Sequence, residues 1–192
     1  MATTNFSPDI DRTIAFATQV HKGQTRKGKN TPYITHPKAV GEILSRVTNN
    51  EDIICAGILH DTIEDAKPYG SITKESIEKE FGPKVAKMVN DLTEQDKSLP
   101  WVERKQQALD HIKVMENDSL LVKSADVLDN LEDQIADYKK EGESMWKRFN
   151  APKSTQLERY KKLIAAIGKK WPQNPLLAKL EVNLDVIKRL WG

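Results

Sequence analysis

The chain has 192 residues, enough for one domain with a substantial core, and its 38% hydrophobic and 30% charged residues place it among folded globular proteins rather than disordered ones. Thirty basic against twenty-eight acidic residues leave a net charge of +2, too balanced for a sequence-wide attraction to nucleic acid or to anionic lipid. The single cysteine, Cys55, excludes an intrachain disulfide and a thiolate cluster, and neither an apolar leader nor a membrane-length apolar run is present. A cytoplasmic protein of one domain, residues 1–192, is expected, with no membrane and no nucleic-acid polymer as partner.

Ser7-Pro8-Asp9 reads as a helix start, with Ser7 capping and Pro8 at a position where no donor is missed. Ile10, Ile14, Ala17 and His21 then share a face, which puts His21 at the helix end. A glycine-punctuated basic loop follows from Lys22 to Pro32 and delivers the chain to Tyr33-Ile34-Thr35-His36-Pro37. Pro37 suits a first helical turn, so His36 is held near a helix N-terminus. Val40, Ile43, Leu44 and Val47 continue that helix at the proper spacing until Asn49-Asn50 break it.

The stretch from Glu51 to Asp65 is the centre of the chain. An uncharged run from Ile53 to Leu59 leads into His60, Asp61, Glu64 and Asp65. On a continuous helix those four side chains would fall on one side, giving a pocket one wall rich in metal- and proton-binding groups. Past it, Lys67-Pro68-Tyr69-Gly70 reads as a turn, Thr73 caps a helix to Phe81, Gly82-Pro83 opens another through Leu92, and Pro100 opens a third through Met115.

A longer helix is predicted over Ser119–Tyr138, where Leu121, Leu128, Leu131 and Ile135 mark the buried side and Asp126 and Asn130, four apart, project together. Residues 142–152 read as an irregular connection. Two amphipathic helices close the chain, one on Leu157, Tyr160, Ile164 and Ile167, the other on Leu177, Leu180, Leu184, Ile187 and Trp191, whose spacing fits packing within the domain. Alternating strand patterns are scarce. The prediction is an all-α bundle of about eight or nine helices.

Two histidines and two aspartates, His36, His60, Asp61 and Asp126, thus stand in separate helical settings. Mixed imidazole and carboxylate donors suit a divalent ion such as manganese, iron or zinc and leave room for water, which makes a hydrolytic centre. Glu64 and Asp65, one turn along, are placed to take a proton from that water.

The pattern His36, His60-Asp61, Asp126 resembles the HD superfamily of metal-dependent phosphohydrolases. More of the chain is similar to the hydrolase domain of RelA/SpoT proteins: residues 21–27, 32–37 and 59–65, Phe81-Gly82, Leu92-Thr93 and residues 123–131. That resemblance implies an HD-domain bundle acting as a stand-alone small alarmone hydrolase, which removes the 3′-diphosphate of (p)ppGpp as pyrophosphate, usually with Mn2+. It implies His36, His60, Asp61 and Asp126 as metal ligands, Glu64 and Asp65 as the acids that position or deprotonate water, and Asn130 as an active-site asparagine. Arg26 and Lys27 would line the nucleotide site. Arg104 and Lys105 would face the substrate, and Tyr160 would lie beside the base. Ser124 and Asp129 depart from the family pattern, where leucine and an aromatic residue are common. Two other readings of the same motifs are an HD enzyme acting on an adenine alarmone or NADPH, and a non-catalytic alarmone-binding or antitoxin-like partner.

Overall fold

The structure, a computed structural model, describes residues 7–65, 72–94, 96 and 98–192. The predicted turn at Lys67-Pro68-Tyr69-Gly70 lies outside those residues. Among the described residues there are nine α-helices of eight or more residues, one single-turn helix and one 3-10 helix, with no strand beyond an isolated bridge between Thr25 and Pro32. The all-α prediction is what is observed. The chain divides into two compact units, residues 1–93 and 94–192.

The first unit holds α1 (Pro8–Val20), α2 (Thr35–Ser45), α3 (Glu51–Leu59), the single turn α4 (Thr62–Asp65), α5 (Lys74–Phe81) and α6 (Pro83–Leu92). Ser7 caps α1 through its hydroxyl, Asn50 caps α3 by accepting from the Asp52 amide, and Thr73 forms a reciprocal capping box with Ser76 on α5. Helix α3 is the core: every residue from Ile53 to Leu59 is buried, and α1, α2 and α6 pack around it. Each isoleucine or leucine so buried contributes about 1.5–3 kcal/mol.

Helices α2 and α3 approach closely because each offers a glycine at the crossing. A Cβ on Gly57 would lie 2.3 Å from Leu44 Cδ1, and one on Gly41 would lie 2.8 Å from Ile58 Cγ1. This contact sets the start of α2, which carries His36, against the end of α3, which carries His60.

The second unit holds α7 (Trp101–His111), α8 (Asn117–Glu141), a 3-10 helix (Gly142–Arg148), α9 (Lys153–Lys170) and α10 (Leu177–Trp191). Helix α7 ends at His111, short of the predicted Met115, and the 3-10 helix orders part of the stretch read as irregular. Helix α8 buries Leu121, Leu128, Leu131 and Ile135 as predicted and packs on α10 and the 3-10 helix. Leu180, Leu184, Ile187 and Trp191 of α10 are buried and this helix packs on α8 and α9, which bears out packing within the chain. On α9, Gln156 and Leu163 are buried where the predicted Leu157 is only half-buried.

Ser124, a departure from the family pattern, has a local role. Fully buried, it donates to the Leu120 carbonyl at 2.7 Å and accepts from Asn174 Nδ2 at 2.8 Å, while Asn174 Oδ1 accepts from the Leu176 amide at 2.9 Å. It anchors the connection between α9 and α10. A leucine there would leave Asn174, itself buried, short of an acceptor.

Candidate metal centre

The expected continuous helix through Glu64 does not form. Helix α3 stops at Leu59, His60 and Asp61 make a turn, and α4 begins afresh at Thr62. The cause is local competition for carbonyls. His60 Nδ1 donates to the Gly57 carbonyl at 2.7 Å and Thr62 Oγ1 to the Leu59 carbonyl at 2.7 Å, so side chains cap the end of α3. His60, Asp61 and Glu64 are therefore placed by a helix end and a turn rather than by one helical face. Glu64 is half-buried on α4; the side chain of Asp65 lies outside the described residues.

That turn brings donors together. His36 Nε2 and His60 Nε2 face one another at 3.2 Å, and Asp61 Oδ2 lies 3.1 Å from His60 Nε2 and 3.7 Å from His36 Nε2. Both imidazoles are 3% exposed, so they are shielded from water on nearly all sides. Because His60 Nδ1 donates to Gly57, the ring is turned so that Nε2 faces the cluster, the orientation that a metal ligand needs. Two imidazoles and a carboxylate converging in this way fit a divalent metal ion.

Tyr33 and the basic loop adjoin this cluster. The Tyr33 hydroxyl donates to Asp61 Oδ2 at 2.5 Å, and its ring lies 4.9 Å from that of His21 and 6.1 Å from that of His36. Arg26 stacks its guanidinium over Tyr33, 5.9 Å from the ring centroid. Lys27 is exposed in the same loop. His21, 2% exposed, donates from Nδ1 to Gln24 Oε1 at 2.8 Å, which makes it a supporting residue of the loop.

In the second unit, Asp126 is buried on α8. Its Oδ1 accepts from Asn130 Nδ2 at 2.6 Å and its Oδ2 from Lys123 Nζ at 2.8 Å. The predicted pairing of Asp126 with Asn130 is thus direct. Arg104 and Lys105 on α7 both pair with Glu94. Burial alone would raise the Glu94 carboxyl, but Lys105 and Arg104 hold it below the ordinary range. Tyr160 is 1% exposed, and its oxygen accepts from Gln134 Nε2 at 2.8 Å. Burial pushes its phenol above the usual pKa. As placed, Tyr160 is a core side chain beside Trp191, with ring centroids 6.2 Å apart.

Three residues were not singled out from sequence: Tyr33, Lys123 and Gln134. The spacing of Lys123 to Asp126 was a readable signal, since residues three apart on a helix are neighbours. Tyr33 and Gln134 depend on partners distant in the chain and left no local trace.

An all-α chain whose buried histidine pair meets an aspartate at a helix end belongs to a known class. A family model described as the HD domain matches residues 13–156, and the chain belongs to that family. Within it, the chain is similar to the guanosine-3′,5′-bis(diphosphate) 3′-pyrophosphohydrolases MESH1 of Danio rerio and Homo sapiens. Identity with the Danio rerio protein is 42% over 124 residues, 63% of this chain and 66% of that one. With the human protein it is 39% over 121 residues, 62% of this chain and 65% of that one. The aligned stretches thus span slightly less than two thirds of these relatives. Over the whole chain, the structure is similar to that of a metazoan orthologue of SpoT described as hydrolysing ppGpp. That match has a TM-score of 0.78 and 30% identity, covering 99% of each chain. The Listeria monocytogenes protein lmo0812 matches with a TM-score of 0.71 and 27% identity, over 80% of this chain and 99% of that one.

Proposed function

We propose that this protein is a metal-dependent 3′-pyrophosphohydrolase of guanosine alarmones, converting (p)ppGpp to GDP or GTP and pyrophosphate, with both units acting as one HD-type hydrolase domain. The observation that carries this reading is the meeting of His36, His60 and Asp61 at 3.1–3.7 Å, in an HD-family chain about 40% identical to named ppGpp hydrolases. His36, His60, Asp61 and Asp126 would hold the ion, which we take to be Mn2+. When bound, it lowers the pKa of a water molecule and neutralises charge on a phosphoryl oxygen.

The remaining work falls to side chains of the chain. Glu64 and Asp65 orient the attacking water and accept its proton. The water oxygen bonds to the phosphorus on the ribose 3′ oxygen; the bond between them breaks, pyrophosphate departs, and the 3′ oxygen gains a proton. Asn130 keeps Asp126 oriented through the bond from its amide. Arg26, Lys27, Arg104 and Lys105 neutralise the phosphates of the nucleotide. The substrate is a small nucleotide, met in the cytoplasm, rather than a nucleic-acid polymer.

The test is product analysis. Metal-stripped protein is incubated with ppGpp, with and without Mn2+, beside Asp61→Ala. GDP and pyrophosphate released only with Mn2+, and not by the variant, is the expected result. Intact ppGpp in the presence of Mn2+ would overturn the reading, and turnover of an adenine alarmone or NADPH in its place would redirect it.

A further inference from the structure

The geometry points to Tyr33 as a positioning residue that aims Asp61 and mechanically joins the basic loop to the metal centre, an inference that rests on the metal-dependent reading above. Tyr33 lies three residues before His36, yet its hydroxyl reaches across to Asp61 Oδ2 at 2.5 Å. A hydroxyl donating to a carboxylate at that distance is a charge-assisted bond, among the stronger ones available to a neutral donor. It fixes one oxygen of Asp61, which stands in the turn between the end of α3 at Leu59 and the start of α4 at Thr62. Outer partners of this kind set the angle at which a ligand meets its metal.

The other end of Tyr33 is tied to the loop. Its amide donates to the Gln24 carbonyl at 2.9 Å, its ring leans on His21, and Arg26 lies over its face. Arg26 is itself pinned by the bond from its amide to the Thr31 carbonyl at 2.9 Å. One aromatic ring therefore separates a cation positioned for phosphate from a carboxylate positioned for metal. The phosphate side and the metal side thus share one side chain, tied to Asp61 through its hydroxyl and to the loop through its amide.

Tyr33→Phe removes only the hydroxyl and keeps the ring under Arg26. Mn2+ titration of metal-stripped protein, read from the electron spin resonance of free Mn2+, should show affinity weakened about 10- to 100-fold. At saturating Mn2+ the KM for ppGpp should stay that of wild type. Arg26→Ala should do the reverse, raising KM with Mn2+ affinity unchanged. Wild-type Mn2+ affinity in Tyr33→Phe would overturn the inference. A second measurement needs no variant at Tyr33: in metal-free protein carrying tyrosine labelled at the ring carbon bonded to oxygen, the Tyr33 hydroxyl proton should exchange slowly, and this signal should vanish in Asp61→Ala. Fast exchange in the wild type would also overturn it. If wild type leaves ppGpp intact while Tyr33→Phe still loses Mn2+ affinity, the proposed reaction fails and the role of Tyr33 stands.

Discussion

Helices α3 and α7 are of similar length and opposite construction. Helix α3 buries every residue from Ile53 to Leu59, whereas α7 buries none of its eleven. The first delivers His60 and Asp61 of the candidate metal centre from the end of a packed core rod. The second presents the basic pair Arg104 and Lys105, which are steadied by ion pairs to Glu94. Under the proposed function, groups that must meet an ion within tenths of an ångström are placed by packing, and groups that meet a diffuse phosphate charge are placed by electrostatics. The difference follows from what each must tolerate: a coordination shell admits little error, while a phosphate is recognised over a wider range of positions.

The largest effect expected from breaking this arrangement is at Asp61. Asp61→Ala should abolish both Mn2+ binding and ppGpp turnover, measured by metal titration and product release. Glu64→Ala should separate the two, keeping most Mn2+ affinity while lowering kcat about 10²- to 10⁴-fold, the usual contribution of a positioned general base. Equal metal loss in both variants would make Glu64 a ligand as well.

Gly57→Ala tests the packed side of the comparison without touching a ligand. The added methyl meets Leu44, which is fully buried and has no room to yield. The variant should lose about 1–3 kcal/mol of stability, seen as a lower melting temperature, and its Mn2+ affinity should fall with it. The smallest effect belongs to the electrostatic side. Because the folded Glu94 carboxyl is held below its ordinary pKa, its ion pairs contribute stability that is complete above the unfolded value of about 4.3 and is lost as pH falls through the folded value. Glu94→Gln should therefore melt below wild type near neutrality and converge with it in acid.

Much of this architecture is written locally. Ser7, Asn50 and Thr73 each mark a helix start with a side chain that satisfies an orphan amide, and the spacing of Leu128, Leu131 and Ile135 fixes which side of α8 turns inward. The pattern of the candidate metal centre is likewise legible, since His36 and His60-Asp61 are set at helix ends that sequence signals can locate. The break after Leu59 was not legible, because periodicity carries no record of the His60 and Thr62 side chains competing for carbonyls. Neither were the contacts of Tyr33 with Asp61 and of Gln134 with Tyr160, which form between residues 28 and 26 apart and follow only from the tertiary packing.

The glycines at the crossing of α2 and α3 carry one more consequence. His36 and His60 are rigidly attached to the ends of those two rods, so the thickness of the side chains between the rods is a gauge for the gap between the imidazoles. With only a hydrogen atom at Gly41 and at Gly57, each glycine admits a side chain of the facing rod, Ile58 and Leu44 respectively, and the rods draw close. The gap between the two imidazoles is thereby calibrated from inside the protein, by residues outside the cluster, and a single methyl group is the smallest increment on that scale.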